Sequence, residues 1–225
     1  MLEVLPRAST SPALIETGDG RRWVMKFTGA GPGPFGVLTE YLALGIARRL
    51  AAPVPAASPV LLPEGFPWMA GTDEFDAMLQ RSWGWNLGVA LVPDATPVRA
   101  EALSRFDPAA LDAIARSDAL LQNMDRTARN PNLIEADSRL WAVDYDACLY
   151  LSRALGPARP PSRALPPGHL LAGRAMSEAP APEFPLAAWL AEAPDEWVAA
   201  AGRDRAAMAA ALGRYVANWG EPLPR

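Results

Sequence analysis

Two stretches of the 225-residue sequence decide the fold: NMDRTARNPNLI at residues 123–134 and WAVDYD at residues 141–146. They supply an aspartate, Asp125, an asparagine at the fifth position after it, Asn130, and a second aspartate, Asp144. A phosphoryl-transfer site needs its base and its two metal ligands in this order along the chain. The pattern therefore favours a kinase-type site.

A β-hairpin is predicted to join the two stretches. Residues 132–134 and 139–143 are apolar and β-prone, and residues 136–138, Ala-Asp-Ser, have the chemistry of a turn. Folding about this turn brings the residues around Asn130 opposite the residues around Asp144. Two oxygen ligands would then meet at one end of the hairpin.

Amide and carboxylate oxygens suit Mg²⁺, which takes a few hard oxygen ligands from a protein and leaves its other positions to water and phosphate. Asn130 and Asp144 are therefore the predicted metal ligands, and Asp125 is placed to accept a proton from an attacking hydroxyl group. The alternative is structural: an ordinary turn at residues 130–132 and a solvated strand end at Asp144. The Asp125 and Asn130 spacing is common by itself, so the functional interpretation depends on the hairpin and on Asp144.

A second hairpin is predicted near the amino terminus. Residues 13–16 and 22–27 are strand-like and flank a Gly-Asp-Gly turn at residues 18–20. One face of the second strand carries three large apolar side chains, those of Trp23, Met25 and Phe27. Lys26 lies on the opposite face, which in an isolated strand would usually be the solvated one.

Glu40 argues against a solvated lysine. The helical pattern of residues 37–50 places Glu40 on a stripe that is otherwise apolar, so this carboxylate needs a cationic partner, and Lys26 is the predicted one. Val24-Met25-Lys26 also looks like the Val-Ala-Ile-Lys signature of the third kinase strand, whose lysine pairs with a helix glutamate and holds the α/β-phosphates. The alternative is a helix-end glutamate that reaches solvent.

These residues resemble the HipA-like kinases, in particular the compact stand-alone HipA-like kinase domains of bacteria. The resemblance spans residues 8 to 150 and is carried by residues 11–17, 24–27, 38–40, 50–55, 118–134 and 140–144. It implies that Lys26 binds the phosphates of ATP and that Glu40 pairs with it. It also implies that Asp125 is the catalytic aspartate and that Asn130 and Asp144 hold Mg²⁺.

The chain departs from the family pattern in two places. His-Gly is expected after the metal-binding aspartate, and Tyr145-Asp146 stands there instead. No phosphate loop of the Gly-x-Gly-x-x-Gly kind is expected. Its place, ahead of the first hairpin strand, is taken by three residues whose hydroxyl and backbone N–H groups are predicted to bind phosphate: Ser9, Thr10 and Ser11. Arg126, adjacent to Asp125, is predicted to steer phosphate or an acidic substrate.

Composition and charge limit the class of protein and its compartment. A formal net charge of −4 gives no electrostatic case for nucleic-acid binding. The single cysteine, Cys148, excludes an intrachain disulfide and fits a reducing cytoplasm, and the single histidine, His169, makes a zinc site or a Ser-His-Asp triad untenable. The sequence shows no signal peptide and no apolar run that could span a bilayer, so a cytoplasmic protein without a membrane partner is expected.

The order of elements predicts an α+β, bilobal protein-kinase-like fold in a single domain. A β-rich N-lobe is expected over residues 1–92 and a helical C-lobe over residues 93–225, with the hinge at Pro93-Asp94. Three helices are predicted in the second lobe, over residues 108–122, 186–193 and 203–219. Asp118, on the first of them, is expected to hold the catalytic loop from beneath.

The sequence thus predicts an ATP-dependent phosphotransferase that moves the γ-phosphoryl group, with Mg²⁺, to a hydroxyl acceptor. The family resemblance favours a serine or threonine on a protein as that acceptor. One alternative is phosphorylation of a small molecule, since kinase-like folds serve both substrates. The other is a nucleotide-binding pseudokinase that works through a protein partner, but a module that only binds has no need of Asp125.

Overall fold

A computed structural model describes residues 3–4, 11–67, 72–157, 161 and 163–219, and it combines α-helices with antiparallel β-sheets. In chain order the elements are β1 (Glu3–Val4), β2 (Ala13–Glu16), β3 (Arg22–Lys26), α1 (Gly33–Arg49), β4 (Ala57–Leu62), α2 (Asp73–Gln80), β5 (Gly84–Ala90), β6 (Thr96–Pro97), a 3₁₀ helix (Ala100–Arg105), α3 (Pro108–Leu121), β7 (Leu133–Ala136), β8 (Arg139–Ala142), α4 (Tyr150–Leu155), α5 (Leu186–Glu192), α6 (Asp195–Ala199) and α7 (Arg205–Ala217). Most of the strands precede most of the helices.

The amino-terminal part is an antiparallel five-stranded sheet in the order β1-β2-β3-β5-β4. The predicted hairpin of β2 and β3 is confirmed, with Ala13 opposite Met25. The predicted faces of β3 are confirmed as well, because Trp23, Met25 and Phe27 are buried in one apolar cluster while Lys26 is only partly buried. Because successive side chains of a strand point to opposite faces, the sequence predicted the orientation of Lys26 correctly.

Helix α1 is buried on nearly all sides, not along one stripe. It begins at Gly33, four residues before the predicted start, because Pro34 is well suited to the first turn of a helix. Tyr41 packs edge-on against Trp197 of α6, with ring centroids 5.9 Å apart. A Cβ atom on Gly45 would lie 3.2 Å from the ring of Trp189 in α5, so a residue without a side chain allows this close approach. The carboxyl-terminal helices thus hold α1 in place.

The second predicted hairpin is confirmed. Strands β7 and β8 are antiparallel, with Leu133 opposite Ala142, and β6 extends them to a three-stranded sheet. Asp137 and Ser138 at the turn have φ values of 48° and 59°, the positive angles that a type I′ hairpin turn requires. The two ends that carry the candidate site residues therefore leave the hairpin side by side.

The predicted helices of the carboxyl-terminal part are confirmed with small changes in their ends. Asp107 caps α3, where its side chain accepts a hydrogen bond from the backbone N–H of Ala109 at 2.9 Å. Helices α5 and α7 fall within the predicted ranges, whereas the short α2, α4 and α6 were not predicted. Among the residues that the structure describes, no helix is long and apolar enough to cross a membrane.

Candidate functional site

Lys26 and Glu40 form a buried ion pair. Strand β3 turns Lys26 away from the apolar face of the sheet, and α1 presents Glu40 one element later in the chain. The Nζ atom of Lys26 lies 2.5 Å from Oε2 of Glu40, and the two side chains are 13% and 1% exposed. The pairing predicted from the sequence is confirmed, and the solvent-facing alternative is wrong.

The charges of this pair depend on each other. Burial opposes the charge of Lys26, but attraction to Glu40 and Asp144 outweighs burial, so the pKa of Lys26 lies above its ordinary value. Burial raises the pKa of Glu40 to about 7, and attraction to Lys26 opposes that rise. The pair therefore keeps an ammonium group inside the protein at neutral pH.

Lys26 is the only lysine in the chain, whereas the other 20 basic residues are arginines. Arginine carries a planar fork of five donors, and lysine carries a compact, rotatable point charge. A sequence that uses arginine everywhere else but lysine here indicates a site that needs the compact ammonium group. This signal was available in the sequence and strengthens the functional interpretation of Lys26.

Asp144 shares Lys26 with Glu40, because Nζ also donates a hydrogen bond to Oδ1 of Asp144. Asp144 follows strand β8 and has a φ of 62°, in the left-handed region that aspartate enters more readily than most residues. The hairpin therefore delivers Asp144 to the lysine of the amino-terminal sheet. The site joins the two parts of the chain at this point.

Asp146 is a residue that sequence reasoning missed. Ligand oxygens of Glu40, Asp144 and Asp146 all lie within 4.8 Å of one another. Burial raises the pKa of Asp146; attraction to Lys26 opposes this rise, and repulsion by Asp144 adds to it. The available signal was the Tyr145-Asp146 pair, which replaces the His-Gly expected there and places a further carboxylate beside the site.

Three carboxylates therefore lie close together beside one ammonium group, which pairs with Glu40 and Asp144. A divalent cation would neutralise the excess negative charge, and carboxylate oxygens are ligands that Mg²⁺ accepts. Glu40 is 1% exposed whereas Asp144 is 38% exposed, so Asp144 and Asp146 are the residues that could hold a metal. This set differs from the predicted pair of Asn130 and Asp144.

Tyr145 fixes the segment that carries both aspartates. Its backbone N–H donates a hydrogen bond to Oε1 of Glu40 at 3.4 Å. Its ring is fully buried and lies 4.9 Å from the guanidinium carbon of Arg126. The residue between Asp144 and Asp146 is thus held from both sides, by α1 and by the loop that follows α3.

Asp125 is clamped by two asparagines. Its Oδ2 atom accepts hydrogen bonds from Nδ2 of Asn130 at 2.7 Å and from Nδ2 of Asn132 at 3.0 Å. The structure therefore joins Asn130 to the predicted base, not to Asp144. Asn132, which was not predicted as a site residue, has a φ of 47°, a left-handed conformation that asparagine tolerates well.

Arg126 has a different place from the one predicted. Its side chain is 0% exposed, and its Nε atom donates to Oδ2 of Asp118 at 2.6 Å. Its Nη1 atom donates to the backbone carbonyls of Pro131 at 3.1 Å and Asn132 at 2.5 Å. A guanidinium that is fully enclosed and bonded to the loop cannot also steer phosphate, so the prediction that Arg126 binds the cofactor is wrong.

Asp118 supports the loop from beneath, as predicted. Besides Arg126 it accepts a hydrogen bond from Nδ2 of Asn123 at 3.1 Å. His169 completes the network: its Nδ1 accepts from the backbone N–H of Leu171, which leaves Nε2 to donate to Asp118 at 3.1 Å. Burial opposes the charge of Asp118, but attraction to Arg126 and the hydrogen bond from His169 hold its pKa below the ordinary value.

The predicted hydroxyl loop is only partly described, since Ser9 and Thr10 lie outside the described residues. Ser11, just before β2, has a φ of 46°. A Gly-x-Gly-x-x-Gly sequence does occur elsewhere, at residues 31–36, which include the first turn of α1. Residues of this segment line a small pocket together with Lys26, Glu40 and Asp146, so sequence reasoning missed a glycine-rich segment beside the site.

We expect Asp118→Asn to destabilise the protein by about 3–5 kcal/mol at pH 7, because Arg126 would be left as an unpaired buried charge. The folded-state pKa of Asp118 is lowered, so its stabilising effect is complete above the pKa of the unfolded chain and is lost as the pH falls. The difference from wild type should therefore shrink below about pH 4. Urea unfolding at several pH values measures both effects.

Asp112→Asn is the matched control, because Asp112 lies on the same helix and hydrogen-bonds the exposed loop residue Ser177. A loss of less than about 1 kcal/mol is expected for this variant. Equal stability losses in the two variants, or a difference that did not change with pH, would contradict the role given to Asp118.

Comparison with protein-family models gave no match, and comparison with functionally curated proteins gave none either. The functional case consequently depends on the geometry of the side chains. Two groups carry it: the buried ammonium and carboxylates of Lys26, Glu40, Asp144 and Asp146, and the clamped carboxylate of Asp125.

Proposed function

We propose that the protein is an ATP-dependent phosphotransferase with a bilobal, protein-kinase-like fold of the HipA-like kind. One observation carries the proposal: Lys26 bridges Glu40 of a buried helix and Asp144 at the end of a hairpin. This is the arrangement in which a kinase holds the α/β-phosphates and its metal-binding aspartate. The resemblance of the segment at residues 118–134 to HipA-like kinases supports the same proposal.

In this proposal Lys26 contacts the α- and β-phosphates, and Glu40 keeps the ammonium group in position. Asp144 and Asp146 hold Mg²⁺, which supplies charge neutralisation to the phosphate oxygens when it is bound. Residues of the glycine-rich segment at residues 31–36 line the small pocket beside these groups.

Asp125 is the proposed base. The acceptor hydroxyl oxygen attacks the γ-phosphorus, the bond from that phosphorus to the bridging oxygen breaks, and ADP leaves with the electron pair of that bond. The hydroxyl proton passes to Asp125. Since Asn130 and Asn132 both bond Oδ2, we assign proton acceptance to Oδ1.

The two hydrogen bonds that hold Asp125 also help to decide between a kinase and a pseudokinase. A pseudokinase that works through a protein partner has no need to fix this carboxylate with two amides and a buried ion pair beneath it. A protein hydroxyl, favoured by the resemblance, and a small-molecule hydroxyl both remain compatible with the proposal. Transfer experiments separate these outcomes.

Incubation with γ-labelled Mg-ATP, alone and with a cell lysate, should yield labelled protein, and a labelled small molecule would select the second acceptor class. Lys26→Ala should lose transfer, because the phosphates lose their cationic contact. Arg22→Ala is the matched control, since Arg22 lies on the same strand and pairs with the exposed Glu16. Transfer that persisted in folded Lys26→Ala protein would remove Lys26 from the site.

The roles of the two aspartates can be separated by binding. Asp125→Asn should keep its affinity for a Mg-bound, non-hydrolysable ATP analogue and lose turnover by about 10²–10⁴-fold, the usual contribution of a general base. Asp144→Asn should lose Mg²⁺-dependent binding and turnover together, because it removes a metal ligand. Calorimetric titration with and without Mg²⁺ measures the difference.

Asp137→Asn serves as the control, since it makes the same change at the exposed turn of the same hairpin, where asparagine suits the type I′ geometry. Loss of Mg-nucleotide binding in Asp125→Asn with retention in Asp144→Asn would reverse the two assignments. Full activity in both variants would refute the kinase function.

A further inference from the structure

A cavity of about 210 Å³ lies between α3, residues 176–179 and Trp219, which follows α7. Its lining includes Arg116 of α3, Arg163 and Trp219, and none of the residues of the proposed phosphoryl-transfer site. The inference drawn from it does not depend on the proposed function.

The cavity is lined by buried donors that lack partners. Arg116 is only 9% exposed, and its Nη2 atom donates to the backbone carbonyl of Ala179 at 2.6 Å. Among the described residues its Nε atom has no hydrogen-bond partner, and neither has Nε1 of Trp219. Buried donors are normally satisfied, so two unpaired ones beside one cavity indicate a missing acceptor.

Two guanidinium groups approach the same indole ring. Their central carbons lie 5.7 Å from the ring centroid of Trp219 for Arg116 and 6.0 Å for Arg163. Like charges at one ring repel each other, and the lining contributes one carboxylate, that of the exposed Glu178. The cavity therefore carries an excess of positive charge that an anion would neutralise.

One segment of the lining, residues 177–179, is hydrogen-bonded to α3. The backbone N–H of Ser177 donates to Asp112 at 2.8 Å, and its hydroxyl donates to the same carboxylate at 2.7 Å. With the bond from Arg116 to Ala179, these contacts attach residues 177–179 to the helix.

We propose that this cavity binds a small molecule through an oxyanion, a phosphate or carboxylate group. The oxyanion is held by the guanidinium groups of Arg116 and Arg163 and by the indole N–H of Trp219. Arginine matches phosphate and carboxylate geometry with paired donors, and an indole N–H adds a donor without charge. The proposal gives a partner to both unpaired donors.

Nuclear magnetic resonance of the full chain labelled with ¹⁵N tests the site directly. The chain has eight tryptophans, and the indole N–H signal of Trp219 is the one lost in Trp219→Phe. Sodium phosphate and sodium acetate, titrated at constant ionic strength against chloride, should shift this signal saturably for at least one of the two anions. Saturation by phosphate alone or by acetate alone identifies the oxyanion, and either result supports the site.

Arg163→Gln should weaken this binding about tenfold, because it removes one charge-assisted contact. Arg116 is too buried for a safe substitution, so the exposed Arg163 is the better variant. Arg139→Gln is the matched control: Arg139 also lies over a tryptophan, 5.3 Å from the ring centroid of Trp141, but away from the cavity.

No saturable shift with either anion would overturn the proposal, and so would an affinity unchanged in Arg163→Gln. The shift should also persist in Lys26→Ala. Its loss there would assign the effect to the proposed nucleotide site and overturn a separate oxyanion site. Failure of phosphoryl transfer leaves this outcome unaffected, so the two proposals can fail separately.

Discussion

Glu40 carries its carboxylate on a buried helix, and this charge requires a cationic partner. Much of the site is arranged around that requirement. A charge with 1% exposure is tolerable only beside a fixed opposite charge, which Lys26 supplies from strand β3. The bond from Tyr145 to the other oxygen of Glu40 then brings in the segment that carries Asp144 and Asp146. One buried acid thus links the sheet, helix α1 and the end of the second hairpin.

The same physical device occurs beneath the loop of Asp125. Asp118 and Arg126 are both fully buried and neutralise each other, and the Nη1 atom of Arg126 donates hydrogen bonds to backbone carbonyls of the loop. Asn132 connects this support to function, because its carbonyl accepts from Arg126 and its amide donates to Asp125. Preorganisation of the proposed base therefore begins in a buried ion pair that touches no substrate.

Sequence patterns predicted what depends on local chemistry. The alternation of apolar and polar residues along β3 predicted which face of the sheet carries Lys26. Glu40, an acid on an otherwise apolar helix stripe, was predicted to be the partner of Lys26. Contacts between residues distant in sequence were harder to predict. An arginine side chain can bind phosphate or a buried aspartate equally well, and only the fold shows that Arg126 is enclosed by the loop. Asp146 was missed because a lone acid after Asp144 looks solvated until Glu40 and Lys26 are placed beside it. The glycine-rich segment at residues 31–36 was missed because the family pattern places the phosphate loop ahead of the first hairpin strand, whereas this segment follows the second strand of that hairpin.

The central claim is that Lys26 and Glu40 act as a unit to hold a nucleotide, and a double-mutant cycle tests it most directly. Affinity for a Mg-bound ATP analogue would be measured for wild type, Lys26→Met, Glu40→Gln and the double variant, each shown by unfolding to be folded. Glu40→Gln should weaken binding about tenfold in the wild-type background and have little further effect beside Lys26→Met, a coupling of about 1.4 kcal/mol. Additive effects of the two substitutions, or unchanged affinity in both single variants, would contradict the account.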